Sequence, residues 1–289
     1  MRQPVSPSSR HLPALAQADF ALVAALLLFV LLAYGVEQWA RPTFTPLGLI
    51  LTGLAMSLVP AAVWLAFFYR RDHLEPEPKG MVFRVFLLGA LLAAAVGIPV
   101  VEELFAVRSW LYHDGLTHIV GGILVIGFTQ EFLKFAAVRF SIYDSEEFDE
   151  PLDGIIYATA AGVGYATLLN IHFIVDSGGA DLGAAAVRIV FTALAQASFA
   201  GVMGYFLGIS KFNPDLSIGW MSAGVVFAAV LNGLFFYLRG ELAQGGVNLD
   251  TPSLLGQWGL FLAIALTLTV TYMITRAMSQ HTGEGQPYE

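Results

Sequence analysis

Repeated apolar runs, each long enough to cross a bilayer and each without charge at its centre, constrain this chain more than any other feature. An α-helix rises about 1.5 Å per residue, so about 20 apolar residues span a hydrocarbon layer of about 30 Å. Eight such runs are read: Asp19 to Val36, Leu47 to Tyr69, Met81 to Val101, His118 to Phe140, Gly154 to Val175, Gly183 to Ile209, Ile218 to Leu238 and Leu255 to Thr275. Breakers separate them at Arg41-Pro42, Glu75-Pro76-Glu77-Pro78, Glu150-Pro151, Asn213-Pro214 and Thr251-Pro252. Backbone groups in lipid find no water, so each run must satisfy its own hydrogen bonds as a helix. The expected fold is an all-α polytopic membrane protein, a bundle of about eight transmembrane helices. It forms one domain over 19–278, with flexible segments at 1–18 and 279–289 and no cleavable signal peptide.

Composition agrees. Of 289 residues, 57% are hydrophobic and 12% charged, about half the charge of a soluble domain. The mean hydropathy is +0.70. These values exclude a soluble enzyme, a nucleic-acid binder and a disordered chain, and a net charge of −8 also argues against a polyanion partner. With no cysteine there is no disulfide, thiolate metal site or cysteine nucleophile. Lys and Arg fall mainly on one side of the spans (Arg70, Arg71, Lys79, Arg139 and Lys211 among them), which places both termini in the cytoplasm.

Small residues recur at Ala158, Gly162, Ala166 and Asn170 on the fifth span and at Ala197, Gly201, Gly204 and Gly208 on the sixth, a spacing that lets helix backbones approach within the bundle. Polar residues at membrane depth gather in the second half: Gln130, Glu131 and Lys134 on the fourth span, Asn170 on the fifth, Gln196 on the sixth and Asn232 on the seventh. Such groups raise a functional hypothesis. Against it, Glu131 and Lys134 stand three apart and neutralise each other, and Gln and Asn bridge helices through amide hydrogen bonds.

The segment Phe68-Tyr69-Arg70-Arg71-Asp72-His73-Leu74-Glu75-Pro76-Glu77-Pro78-Lys79 resembles the entry loop of the PrsW family, bacterial intramembrane metalloproteases distantly related to the CAAX-processing glutamate proteases. The likeness continues through Gln130-Glu131-Phe132-Leu133-Lys134, through Phe148 to Tyr157, through Gly162 to Asn170 and through Gly201 to Gly208. The resemblance implies a site on the fourth to seventh spans, and there the chain departs from the family pattern. Gln130-Glu131 stands for Glu-Glu, with Lys134 retained. Leu169-Asn170 stands for Glu-Asn, and Gln196-Ala197 for His-Ala. Asn232 and Phe236 stand where relatives carry His and an acid or amide.

A hydrolytic zinc site needs about three His or carboxylate ligands, an open water position and a carboxylate base. Leucine cannot ligate and amides are poor zinc partners. Glu131 is the one acidic candidate left, and one carboxylate cannot serve both as ligand and as base. The resemblance therefore implies a catalytically degenerate homologue in the bacterial inner membrane. It would hold no cofactor and would bind transmembrane segments of other membrane proteins or serve as a subunit of a membrane complex. The alternative is an active intramembrane peptidase centred on Glu131, holding zinc. A transporter or channel ranks last, for want of charged lining residues.

Three features outside this cluster carry blander readings. Glu102, Glu103 and Arg108, with His113, His118 and His172, lie toward the outer side and read as interfacial surface residues rather than an external metal site. The loop 144–150 carries five acids and no base and reads as solvated. Asp153 heads a helix, where a carboxylate suits the dipole.

Overall fold

The computed structural model describes residues 11–71, 77–213, 218–244, 261, 263–269 and 272. Every regular element among them is helical. Seven helical spans are long and apolar enough to cross a membrane: Ala21–Ala40, Pro46–Ala66, Lys79–Ser109, Gly115–Arg139, Pro151–Asp176, Leu182–Phe212 and Gly219–Leu238. They coincide with the first seven expected runs. The eighth, Leu255 to Thr275, falls largely outside the described residues, though 263–269 is helical.

The first helix, α1 (His11–Gly35), begins eight residues before the expected Asp19 and so includes part of the segment read as flexible. It ends in a π-helical turn, Val36–Ala40. The second span is broken into α2 (Pro46–Ser57) and α3 (Val59–Arg71), because Pro60 has no N–H to continue the ladder. The third contains α4 (Lys79–Leu92) and two π turns, Ala93–Gly97 and Val100–Leu104. The fourth contains α5 (Gly115–Gly121), a π turn (Gly122–Gly127) and α6 (Phe128–Arg139). Asp114 caps α5 by accepting from the Thr117 N–H at 2.8 Å and its hydroxyl at 2.6 Å, and these bonds hold its carboxyl below the usual range. The remaining helices are α7 (Pro151–Asp176), α8 (Leu182–Phe212) and α9 (Ile218–Gln244).

Helices α7 and α8 form the centre and pack on each other more extensively than any other pair. Small residues make this possible. A methyl group on Gly162 would lie 2.6 Å from the Gln196 carbonyl, and one on Gly154 would lie 2.7 Å from the Gly208 nitrogen. The stripe of α8 in contact is thus Gln196, Ala200, Gly204 and Gly208. The expected stripe was right at Gly204 and Gly208 and one residue off at Ala197 and Gly201. The other side of α7 takes α4, with Gly89 against Ala161 and Gly164 against Phe86. Lipid supplies no hydrophobic drive between helices, so such backbone proximity supplies the packing energy instead.

Polar groups hold the ends. Glu37 reaches from the π turn after α1 to accept from the Gly183 N–H at 2.6 Å, satisfying an otherwise orphan donor at the start of α8. Asp153 accepts from the N–H groups of Asp149 and Glu150 at 2.9 and 2.7 Å. The acidic loop is not merely solvated. Lys211 of α8 donates to the carbonyls of Tyr143, Ser145 and Phe148 at 2.5, 3.3 and 2.5 Å, and Arg139 pairs with Asp144 at 2.9 Å. On the same side, Tyr157 donates to the buried Glu77.

The α7–α8 contact yields a test. Gly204→Val would drive a branched side chain into the backbone of Gly154, and unfolding in detergent should show a loss of about 1–3 kcal/mol. Gly80→Ala, where nothing lies within 4 Å, should leave stability within about 0.5 kcal/mol.

Candidate functional site

Five of the seven expected positions converge on one buried network. Lys134 Nζ donates to Glu131 Oε1 at 2.6 Å and to Gln196 Oε1 at 2.7 Å. Gln196 Nε2 donates onward to Gln130 Oε1 at 2.8 Å. Asn232 Nδ2 donates to Gln130 Oε1 at 3.0 Å and to Glu131 Oε1 at 2.7 Å. Both charged residues are fully buried. The Lys134 ammonium also lies 5.9 Å from the ring centres of Tyr165 and Phe199, within cation–π range.

Local structure explains the convergence. Glu131 and Lys134 are one turn apart on α6 and share a face. The π turn Gly122–Gly127 lies against α9, where Gly127 meets Ala229 and Gly233 meets Ile123 across bare backbone. That close approach brings Asn232 to Gln130 and Glu131. Gln196 arrives from the α8 stripe packed on α7.

Leu169 and Asn170 stand apart from the hydrogen-bonded core. Asn170 Nδ2 donates to the Ile189 carbonyl at 3.2 Å and so bridges α7 to α8. Leu169 packs with Ala93, Leu133 and Tyr165 and lines an adjoining cavity of about 230 Å³. Gln130, Gln196 and Asn232 also line that cavity, as do Glu102, Arg108 and Asp176.

The outer residues are corrected in part. Glu102, not Glu103, carries the contacts: it meets His172 Nε2 at 3.1 Å and Arg108 at 3.1 Å, while Arg108 also reaches Asp176 at 2.9 Å. His118 is not a surface residue. It is 2% exposed, with Tyr112, Phe236 and Tyr237 edge-on around its ring. Glu103 and His113 remain exposed. Among the described residues no three His, Asp or Glu side chains gather closely enough to hold a metal ion.

The central residues do not fit zinc. Gln130, Gln196 and Asn232 offer neutral amides, and the one carboxylate oxygen turned to them already accepts from an ammonium and an amide. A dication requires anionic or imidazole donors with an open position. Lys134 fills the middle of the set with a positive charge that repels one. What the arrangement does supply is helix–helix adhesion across α6, α8 and α9 and a neutral polar floor to the cavity.

Sequence reasoning passed over Tyr165 and Thr192. Both are buried and line the cavity, and neither the Tyr165 hydroxyl nor Thr192 Oγ1 has a hydrogen-bond partner. Arg188 also lines the cavity, with its guanidinium 3.6 Å from the Phe173 ring centre.

Residues 77–278 match the model of the PrsW family of intramembrane metalloproteases. A Protease PrsW from Oceanobacillus iheyensis is 30% identical over 192 residues, covering 66% of this chain and 85% of that protein. One from Geobacillus kaustophilus is 27% identical over 234 residues, covering 81% and 94%, and one from Bacillus subtilis is 28% identical over 192 residues, covering 66% and 84%. No solved structure matches the chain.

The network predicts a charge-coupling result. Lys134→Met leaves Glu131 buried without its cation and should destabilise the protein by about 3–5 kcal/mol. Adding Glu131→Gln to that variant should restore most of the loss. A double-mutant cycle of unfolding free energies in detergent measures the coupling; additive losses would mean the two groups act independently.

Proposed function

Because the chain belongs to the PrsW family of intramembrane metalloproteases, we propose that it keeps the family's bundle without its metal chemistry and acts by binding. Its partners would be transmembrane segments of other membrane proteins, or the other subunits of a membrane complex, in the bacterial inner membrane. Both termini would face the cytoplasm, in line with the distribution of Lys and Arg.

The observation that carries this reading is the place of Lys134. Its ammonium bonds to Glu131 and Gln196 together, the positions that the family resemblance assigns to an acid and a histidine. A cation fixed there supplies the positive charge that the surrounding carbonyl and carboxylate oxygens need. It provides neither a Lewis acid nor an activated water. Glu131 is bonded to that cation and to Asn232 through one oxygen, an arrangement suited to adhesion.

A second reading is an active peptidase with Glu131 as its base. It draws on the printed name of the relatives, Protease PrsW, and on Glu131 Oε2, which has no hydrogen-bond partner. In that case Glu131→Gln would abolish cleavage of a membrane-anchored substrate.

Metal analysis of the purified full-length protein separates the two. The binding reading expects less than about 0.1 zinc per chain after dialysis against micromolar zinc, in the wild type and in Gln196→Ala alike. One tightly bound zinc per chain, lost in Gln196→Ala, would overturn it.

A further inference from the structure

The network leaves unused hydrogen-bonding groups facing one cavity. Gln196 uses both ends of its amide. Gln130 uses only its oxygen, and Asn232 only its nitrogen. Gln130 Nε2 and Asn232 Oδ1 therefore remain as a donor and an acceptor on residues that line the 230 Å³ cavity. The Tyr165 hydroxyl and Thr192 Oγ1 line the same space without a partner; Tyr165 is fully buried and Thr192 is 8% exposed. Leaving a buried hydroxyl unsatisfied is costly, and with the free ends of the two amides Tyr165 and Thr192 put four unused polar groups around one cavity, which calls for polar content.

We propose that this cavity is a binding site for a small uncharged carboxamide solute. The ligand's carbonyl accepts from Gln130 Nε2 and a hydroxyl, and its N–H donates to Asn232 Oδ1. The floor selects against ions. Among the Lys, Arg, Asp and Glu residues on and beside the lining, Lys134, Arg108 and Arg188 balance Glu131, Glu102 and Asp176, so no net charge remains to hold one. A carboxylate would face the Asn232 oxygen without a proton to give it, and an ammonium would face the Gln130 N–H without a lone pair. The size selects against a helix: one with side chains is about 10 Å across, wider than 230 Å³ admits. Lining by Glu102, Arg108 and Asp176, near helix ends, gives the cavity a charged rim. The inference rests on the proposed function in one respect: Lys134 stays with Glu131 and Gln196 and does not give way to a metal.

The test uses the full-length protein in lipid nanodiscs with three probes of about six heavy atoms each: butanamide, butanoate and pentylammonium. Binding is read as a saturable rise in the thermal unfolding midpoint, and zinc is measured on the same sample. Butanamide should saturate in the millimolar range, as expected for about six heavy atoms, and the two ions should bind at least about ten-fold more weakly. Thr192→Val and Tyr165→Phe, each removing one hydroxyl at nearly constant shape, should each weaken butanamide about five- to ten-fold. No saturable shift, or equal shifts from all three probes, would overturn the proposal. So would unchanged affinity in both variants, which would mean that butanamide binds without these hydroxyls and not in this cavity. If a variant fails to fold, the three-probe comparison on the wild type still decides. A zinc-free sample with no butanamide response ends this inference alone, whereas bound zinc ends the proposed function.

Discussion

The ammonium of Lys134 decides the polarity of the bundle interior. A lysine can only donate, so Gln196 must turn its oxygen toward it, and Gln196 then has only its nitrogen to offer Gln130. Gln130 in turn receives through its oxygen from both Gln196 and Asn232. Amide side chains have no preferred direction of their own, and without the cation either orientation would serve. One charge thus fixes three amides on three helices. In lipid, where the alternatives are a lost hydrogen bond or an unpaired charge, that fixes the rotation of α6, α8 and α9 about their axes as well.

Such a network forms only if backbones come close. An asparagine side chain is short, and Asn232 reaches Glu131 at 2.7 Å because Gly233 beside it lets α9 approach the π turn at Gly122–Gly127. Gln196 stands on the same stripe of α8 as Gly204 and Gly208, which press against α7. The glycines and the polar groups are therefore one device. The glycines set the interaxial distance, and the amides set the register at that distance. A widened helical turn next to the polar cluster fits the tendency of π turns to occur where side chains must be re-aimed.

The spans were legible because the bilayer imposes a length, and the Glu131–Lys134 pair was legible because a helix imposes a pitch. Rotation about the helix axis was not. On α8, Gly204 and Gly208 belong equally to a stripe running back through Ala197 and Gly201 or through Gln196 and Ala200. A one-dimensional pattern does not say which side another helix will choose. His118 was misread as a surface residue for a related reason: the sequence does not show that Tyr112, Phe236 and Tyr237 close around a ring near a helix start. The hydroxyls were illegible for a chemical reason. A threonine in an apolar span commonly bonds the carbonyl four residues back, as Thr167 does with Val163 at 2.8 Å. Nothing in the sequence marks Thr192 as different.

On the proposed reading, the departures from the family pattern form a set and not a drift. A zinc ion takes imidazole or carboxylate ligands, while one buried ammonium balances the charge of only one carboxylate. If Gln130 were a glutamate in this interior, two carboxylates would share a single cation, and one would have to take a proton or draw in another positive charge. If Gln196 were a histidine, its ring would have to present a lone pair to Lys134 and its N–H to Gln130, in a geometry that an amide meets with less bulk. Glu131 with Lys134 sums to zero, and the amides add dipoles without adding charge. The interior is thus consistent as it stands. Each residue suits the ammonium for the reason that it fails to suit zinc, so the same physical requirement explains what is present and what has been replaced.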